Sequence, residues 1–205
     1  MVRLPRSYFE RPSTEVAPDL IGKLLVRQTE LGLQIGRIVE VEAYMGRQDL
    51  AAHSSKGVTP RTRIMFGEAG HAYVYLIYGM HHCMNVVTGP KGSGSAVLLR
   101  ALEPVQGLVL NTNGPGRLAK AMGIDKRLYG ADLCAADSEL FLADDGHEPA
   151  EILTSARIGV HYAEEWADKP LRYYCSESQW VSRAPSTKPK IKSVGKRPNG
   201  PVAHK

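Results

Sequence analysis

The stretch I-V-E-V-E-A-Y (residues 38–44) decides how the fold is interpreted, because it alternates apolar and polar residues. Alternation with a period of two is typical of a half-buried β-strand, with one apolar face and one polar face. Val39 and Val41 are therefore expected to share one face, and Glu40 and Glu42 the other. The sequence thus predicts a strand that carries two carboxylates on a single face.

The segments around this stretch predict further strands and few helices. The best strand candidates are rich in Val, Ile, Leu and Tyr and cover residues 23–29, 33–42, 72–78, 83–88 and 96–102. E-L-G (residues 30–32) predicts a hairpin between the first two. Residues 114–122 are the clearest helix, with Pro115 at a permitted early position and Gly123 as the stop, and Thr14 with Glu15 resembles another helix start. Strands joined by short turns predict the α+β class, a single domain built on a curved, mainly antiparallel β-sheet with flanking helices.

Length and composition agree with one domain that has a sizeable core. The chain has 205 residues, of which 43% are apolar, and no run is long enough to span a membrane. Residues 1–12 show no signal pattern. The three cysteines, Cys83, Cys134 and Cys175, are odd in number and lack a paired C-x-x-C spacing. They are expected to be reduced thiols in a cytoplasmic protein.

The net charge of +5 is concentrated at the C-terminal end. Seven of the 26 Lys and Arg residues and none of the 21 Asp and Glu residues lie in residues 183–205, which leaves a net charge of −2 for residues 1–182. We therefore predict a domain over residues 1–182 and a flexible basic tail rich in Pro and Lys over residues 183–205. The tail either adds salt-sensitive affinity for phosphates or serves solubility.

The residues near Glu42 suggest chemistry on a flat ring. Tyr44 shares a face with Glu42, and His53 follows after a short loop. A carboxylate beside aromatic rings lies in a low-dielectric environment and can act as a general base near neutral pH. The rings can equally hold a flat heterocycle. The alternative is that Glu42 pairs with an arginine and that the tyrosines only cover the strand surface.

Several long motifs, in order along most of the chain, resemble the alkyladenine (3-methyladenine) DNA glycosylase family of the compact, single-domain type. The N-terminal motifs are D-L-I-G-K-L-L (residues 19–25), I-V-E-V-E-A-Y (38–44), A-A-H-S (51–54) and Y-V-Y-L-I-Y-G-M-H-H-C-M-N (73–85). The later ones are L-L-R-A-L-E-P (98–104), G-P-G-R-L (114–118), S-A-R-I-G-V (155–160) and K-P-L-R (169–172). The extreme N-terminus and the basic tail lie outside the resemblance.

The resemblance implies a monofunctional DNA repair enzyme. Such an enzyme flips alkylated or deaminated purines out of duplex DNA and hydrolyses the N-glycosidic bond, leaving an abasic site. Glu42 would stabilise the charge on the sugar and activate water, with Arg100 and the backbone carbonyl of Ile158 orienting that water. For Arg100 the alternative is a structural ion pair with Glu103 or Glu42. The expected partner is double-stranded DNA containing damaged purines, with no cofactor, no membrane, a monomeric chain and a place in the bacterial cytoplasm or nucleoid.

The resemblance also implies a binding pocket for the extruded base. Tyr44, His53 and Tyr75 match the residues that sandwich the base, and stacking on aromatic rings tolerates several purines. Asn85 matches the residue that excludes normal guanine, and backbone groups around Ala51 and His53 would contact the base edge. Without the resemblance, His53 would be interpreted as a hydrogen-bonded loop histidine and Asn85 as a turn residue.

A second set of residues is expected to contact the DNA around the vacated position. Tyr78 matches the wedge that fills the gap in the base stack, Gly79 lets the hairpin turn sharply, and Met80 and His81 lie beside it. The chain departs here from some relatives, which have Tyr-Phe in place of His81 and His82, so the resemblance does not extend to the minor-groove packing or the lesion preference. Arg61 and Arg63, in T-P-R-T-R, are expected to contact phosphates or to remain solvated.

Two other functional classes stay open on the residues alone. A noncatalytic nucleic-acid-binding module would use the same tyrosines and basic tail. A metal-dependent hydrolase would be built on His81, His82 and Cys83, but only His81 and Cys83 share a strand face and the usual ligand spacings are missing, so no metal is expected. A lysine nucleophile is not expected either, because the nearest candidate, Lys56, lies in an exposed-looking S-S-K-G loop.

Overall fold

The computed structural model describes residues 1–182, which form a nine-stranded sheet with three short α-helices. The strands are β1 (Val2–Arg3), β2 (Leu24–Thr29), β3 (Gly32–Tyr44), β4 (Ala72–Ile77), β5 (His81–Thr88), β6 (Ser95–Gln106), β7 (Leu140–Asp144), β8 (Ile152–Ser155) and β9 (Arg172–Cys175). The helices are α1 (Arg6–Phe9), α2 (Ser13–Leu20) and α3 (Pro115–Ala121). Single 3₁₀ turns occupy His53–Lys56, Arg63–Phe66, Lys126–Leu128 and Glu164–Trp166. The predicted basic tail, residues 183–205, lies outside the described residues.

The sheet is antiparallel in every pairing, with the order β1-β7-β2-β3-β6-β5-β4 and with β9 paired to β3 and β8 to β9. The predicted α+β class is therefore confirmed. The five predicted strands correspond to β2 through β6, and the predicted hairpin closes with Thr29 opposite Gly32. Strand β3 contacts β2, β6 and β9, so it lies at the centre of the sheet and can hold side chains from several parts of the chain.

The core packs helices α2 and α3 against the sheet. In α2 the buried apolar side chains are Val16, Ala17 and Leu20, whose spacing of one and four residues places them on one helical face. In α3 the buried residues include Leu118 and Ala119. Within the described residues, no helix has the length and apolar composition needed to cross a membrane.

The prediction that β3 is half-buried is wrong, although its two acids do share a face. Val39 and Val41 are buried as expected, but Glu40 and Glu42 are also completely buried. The alternation of apolar and polar residues indicates which side chains share a face of the strand. It does not indicate whether other parts of the chain cover that face. Here the polar face is covered by arginines, and Arg100 contacts both carboxylates.

Candidate active site

A cavity of about 200 Å³ opens beside the ends of β3 and β6 and the hairpin of β4 and β5. It is smaller than the roughly 300–1,000 Å³ typical of pockets for drug-sized ligands, so it suits one small flat group. The structure brings together eight of the predicted residues in its lining: Tyr44, Ala51, His53, Tyr75, Tyr78, Asn85, Arg100 and Ile158. Further lining residues that the sequence did not single out include Met65, Tyr73, Leu98, Pro115 and Tyr162.

The carboxylate of Glu42 lies directly behind this lining. Its Oε1 accepts a hydrogen bond from the backbone N–H of Ile158 at 2.8 Å and pairs with Arg100 Nη1 at 3.1 Å. Its Oε2 accepts a hydrogen bond from the Tyr44 hydroxyl at 2.9 Å. A carboxylate oxygen can accept two hydrogen bonds, so among the described residues Oε2 is the atom with accepting capacity left. All three contacting residues line the cavity, so the buried Glu42 carboxylate lies directly next to the cavity wall.

Arg100 reaches both acids because the pairing of β3 with β6 is irregular. Glu40 lies opposite Ala101 and Val41 lies opposite Leu99, so Arg100 is the extra residue of a β-bulge. Bulges change the direction of a side chain and recur beside active sites. The alternative of an ion pair with Glu42 is confirmed, and Arg100 Nε also donates to Glu40 at 2.8 Å. Arg100 therefore pairs with both carboxylates and also forms part of the cavity wall.

Glu40 anchors Arg100 from the side away from the cavity. Its carboxylate also accepts hydrogen bonds from Arg172 Nε at 2.7 Å, from the Ser182 backbone N–H at 2.6 Å and from the Ser182 hydroxyl at 2.9 Å. Burial alone would raise the pKa of Glu40, but the charges of Arg100 and Arg172 and the Ser182 hydrogen bond outweigh it and lower the pKa below its usual value. Glu40 is therefore ionised, and it holds the guanidinium of Arg100 in place.

A second buried ion pair joins Asp49 and Arg157. Arg157 Nη1 and Nη2 contact the two Asp49 oxygens at 2.6 and 2.9 Å, and neither side chain is exposed. The site thus contains three buried carboxylates and three buried guanidiniums, which balance in charge. Glu40, Asp49, Arg157 and Arg172 escaped prediction as site residues because each acts through a partner distant in sequence.

Aromatic rings form one wall of the cavity. The ring centroids of His53 and Tyr75 are 4.7 Å apart at an interplanar angle of 74°, and those of Tyr73 and Tyr75 are 5.4 Å apart. The Tyr73 hydroxyl lies 2.8 Å from His53 Nδ1 and fixes the imidazole. Tyr73 and Tyr75 share a face of β4 because they are two residues apart, and this spacing was the available signal for Tyr73. The predicted sandwich of a base by Tyr44, His53 and Tyr75 stays a prediction.

Asn85 lies in the middle of β5, opposite Tyr73, so it is not the turn residue that its type alone suggested. Its side chain is buried, and Nδ2 donates to the Tyr73 carbonyl at 3.1 Å. This hydrogen bond fixes the amide orientation at the cavity wall. Asn85 therefore presents a rigid edge to any ring that enters.

His53 is expected to remain neutral over the physiological range. Burial lowers its pKa to about 4, and the nearby charges of Arg61 and Lys56 act in the same direction. The imidazole chemical shifts should therefore titrate near pH 4 in an NMR experiment, with His53→Gln identifying the signal. Because the unfolded chain takes up this proton near the ordinary His pKa of about 6.5, stability should fall as the pH drops from about 6.5 towards 4. A midpoint near 6.5 in the folded protein would contradict this environment.

The tip of the β4–β5 hairpin presents two large apolar side chains beside the cavity. Tyr78 is 85% exposed and Met80 is 73% exposed. The backbone turns sharply there, with positive φ values of 52° at Tyr78 and 68° at Gly79. Exposed apolar groups on a protruding turn are typical of a contact surface. Since Tyr78 also lines the cavity, the predicted wedge and the predicted base pocket are neighbours.

Basic side chains lie near the cavity and in a neighbouring cleft. Arg61 and Arg63 are exposed, and the Arg61 guanidinium stacks 5.0 Å from the Tyr75 ring centroid. A cleft of about 620 Å³ shares Arg100 with the cavity and is also lined by His81, Arg117 and Lys120. Arg117 and Lys120 were not predicted.

The residues considered for metal binding and for lysine chemistry differ in their exposure and in their position relative to the cavity. His81 is exposed and Cys83 is buried in the cavity wall, and residues 1–182 contain no group of three or more His, Cys, Asp or Glu side chains able to hold a metal. Lys56 is exposed and does not line the cavity. All three cysteines are free thiols, as predicted.

The small ring-lined cavity, the buried carboxylate behind it and the exposed aromatic turn have the arrangement that an enzyme acting on an extruded nucleotide needs. Residues 7–179 match the family described as methylpurine-DNA glycosylase, and the chain belongs to this family. This match confirms the family that the sequence motifs indicated.

Similar proteins agree over nearly the same span. The chain is 54% identical over 185 residues to a protein of Legionella pneumophila (strain Lens), covering 89% of this chain and all of the relative. It is 50% identical to a protein of Myxococcus xanthus, covering 89% and 94% of the two chains, and 49% identical to one of Methanocella arvoryzae, covering 89% and 97%. Each of these relatives is named "Putative 3-methyladenine DNA glycosylase".

Proposed function

We propose that this chain excises alkylated and deaminated purines from double-stranded DNA by hydrolysing the N-glycosidic bond. The observation that carries the proposal is the Glu42 carboxylate, held behind a ring-lined cavity by Tyr44, Arg100 and Ile158. Family membership supplies the class of reaction, and this geometry supplies the group that performs it. The reaction takes place in the compartment that holds the DNA.

Glu42 acts on the sugar of the extruded nucleotide. As the bond between C1′ and the purine nitrogen breaks, its electron pair leaves with the purine and positive charge develops on the sugar. The carboxylate stabilises that charge and accepts a proton from the attacking water, whose oxygen bonds to C1′. An alkylated purine that already carries positive charge leaves readily as a neutral base, and the proton taken up by Glu42 passes to solvent. A neutral purine such as hypoxanthine leaves as an anion and takes up one proton, so the free base is again neutral. The products are the free base and an abasic site.

The attacking water is expected to bind Oε2 of Glu42, because this oxygen can still accept a hydrogen bond. Oε1 is occupied by Ile158 and Arg100, so the water must approach Oε2, beside the Tyr44 hydroxyl. Arg100 and the carbonyl of Ile158 complete the shell around the water. Tyr44 thus has two roles, since its hydroxyl contacts the base catalyst while its ring forms part of the wall.

The rings around the cavity hold the extruded purine. Tyr44, His53 and Tyr75 stack on the base, at about 1–3 kcal/mol for each stacked base, and backbone groups at Ala51 and His53 contact its edge. Asn85, fixed by its hydrogen bond to Tyr73, crowds the exocyclic amino group that distinguishes guanine. Undamaged guanine is excluded for this reason.

The surface around the cavity binds the duplex. Tyr78 enters the vacated position, Met80 and His81 pack beside it, and Arg61 and Arg63 contact phosphates. The chain is proposed to act on the duplex as a monomer.

The proposal is tested by incubating the full chain with duplexes that each carry one alkylated adenine, alkylated guanine, hypoxanthine or ethenoadenine. We expect release of free base and an intact strand with an abasic site, which breaks only after alkali treatment. Release should persist with EDTA present. Binding without release would favour a noncatalytic module, loss of release on chelation a metal-dependent hydrolase, and strand cleavage without alkali a lysine nucleophile.

A further inference from the structure

We infer that Arg157, held by Asp49, is a positioning residue that sets the geometry of Tyr44, Ala51 and Ile158 around the extruded base. The inference rests on the proposed function. Arg157 does not line the cavity and its side chain is completely buried, so it acts only through other residues.

The guanidinium of Arg157 connects separate segments of the chain. Nη1 donates to Asp49 at 2.6 Å and to the Ala43 carbonyl at 2.9 Å. Nη2 donates to Asp49 at 2.9 Å and to the Trp166 carbonyl at 3.3 Å. A planar guanidinium that binds a carboxylate with two parallel contacts has a fixed orientation. The end of β3 is thereby tied to two later loops.

Asp49 extends this connection to the loop that follows β3. Its Oδ2 accepts a hydrogen bond from the Met45 N–H at 3.0 Å, and its Oδ1 accepts one from the Ala51 N–H at 3.0 Å. Ala51 lines the cavity, and its backbone is proposed to contact the base edge. The ion pair therefore fixes one part of the base-recognition surface directly.

Arg157 also controls two of the three contacts to Glu42. Its guanidinium carbon lies 4.6 Å from the centroid of the Tyr44 ring, and the Tyr44 hydroxyl donates to Glu42. The next residue in sequence, Ile158, donates its backbone N–H to the other oxygen of the same carboxylate. A small displacement of Arg157 would therefore move both groups relative to the base catalyst.

Stability alone does not account for this pair. Replacing a buried ion pair with well-packed apolar residues is often neutral or stabilising, because both charges lose their hydration. What an ion pair with several additional hydrogen bonds supplies is a unique geometry. Catalytic geometry is sensitive to displacements of about 1 Å, which can reduce rates by about 10²-fold.

The test compares Arg157→Met and Arg157→Lys with a matched control, Arg37→Met. Arg37 makes a similar two-contact pair, with Asp145 at 3.0 and 2.8 Å, and also donates to the Gly22 carbonyl. This pair is partly exposed, and Arg37 does not line the cavity. Three quantities are measured for each variant: the melting temperature, the Kd for a duplex with a tetrahydrofuran abasic analogue, and the single-turnover rate of ethenoadenine excision. The fluorescence of ethenoadenine reports its transfer into the pocket.

Arg157→Met should reduce the excision rate by about 10²-fold while the Kd for the abasic analogue changes by less than about threefold. Arg157→Lys should recover part of the rate, because it keeps a positive charge over the Tyr44 ring. Arg37→Met should lower the melting temperature and leave the rate unchanged. If Arg157→Met does not fold, Asp49→Asn must show the same loss of rate at constant Kd, and Arg157→Lys a smaller loss.

Two results would overturn the inference. One is an excision rate within about threefold of the unmodified chain in folded Arg157→Met or, where that variant does not fold, in folded Asp49→Asn. The other is a Kd that weakens as much as the rate, which would indicate a general disruption of the fold. Failure of the proposed function is distinguishable, since the unmodified chain would then release no base.

Discussion

Glu42→Gln should lower the single-turnover rate of purine excision by about 10³-fold, within the range of roughly 10²–10⁴-fold that general base catalysis contributes. The substitution keeps the size of the side chain. An amide oxygen can still accept from the Ile158 N–H, and the amide nitrogen can donate to the Tyr44 oxygen. What is lost is the negative charge facing the sugar and the site that accepts the proton from water. Affinity for an abasic duplex should change by only a few-fold, because Tyr78 and the surrounding surface are untouched.

Glu40→Gln provides the matched control for this change. Glu40 is equally buried, shares the face of β3 with Glu42 and contacts the same Arg100. Its other partners, Arg172 and Ser182, do not line the cavity, whereas Tyr44 and Ile158, which contact Glu42, do. Substitution of Glu40 should destabilise the fold by about 3 kcal/mol or more, since it leaves buried arginine charge without its partner. Excision measured on the folded variant should fall by less than about tenfold. Equal losses of rate in the two variants, or full activity in Glu42→Gln, would contradict the assigned role of Glu42.

The strands and several site residues could be predicted because their signals are local. Alternation placed Glu40 and Glu42 on one face, and Gly79 indicated a tight turn that presents Tyr78. The family motifs then indicated which of these residues face a common ligand, and the cavity lining contains eight of them. Local pattern and motif thus predicted the parts of the site that lie on strands and on the hairpin.

The groups that hold these residues in place could not be predicted from local patterns. Arg157 and Asp49 are 108 positions apart, and Ser182 and Glu40 are 142 apart. Burial of the polar face of β3 depends on these distant partners, which is why a half-buried strand was expected. Arg100 reaches its position through a bulge, and bulges shift a strand register without changing its composition.

Tyr78→Asn should reduce excision from duplex DNA by about 30- to 150-fold and leave excision from a single strand nearly unchanged. The ring of Tyr78 is proposed to fill the gap in the base stack, and losing about 2–3 kcal/mol of stacking corresponds to that change in rate. Asparagine is the informative replacement because Tyr78 has a φ of 52°, a conformation that asparagine tolerates better than most residues. The hairpin should therefore keep its shape and the melting temperature its value, since the side chain is 85% exposed.

Tyr78→Phe keeps the ring and should excise at nearly the rate of the unmodified chain, which separates stacking from any role of the hydroxyl group. The duplex and the single strand must carry the same lesion in the same sequence, so that only the vacated position in the stack differs. A base in a single strand leaves no gap that needs filling, and the cavity in front of Glu42 is the same for both substrates. An equal loss of rate on both substrates would therefore mean that Tyr78 acts on the pocket through the cavity wall it shares, and that the duplex is held open by another part of the surface.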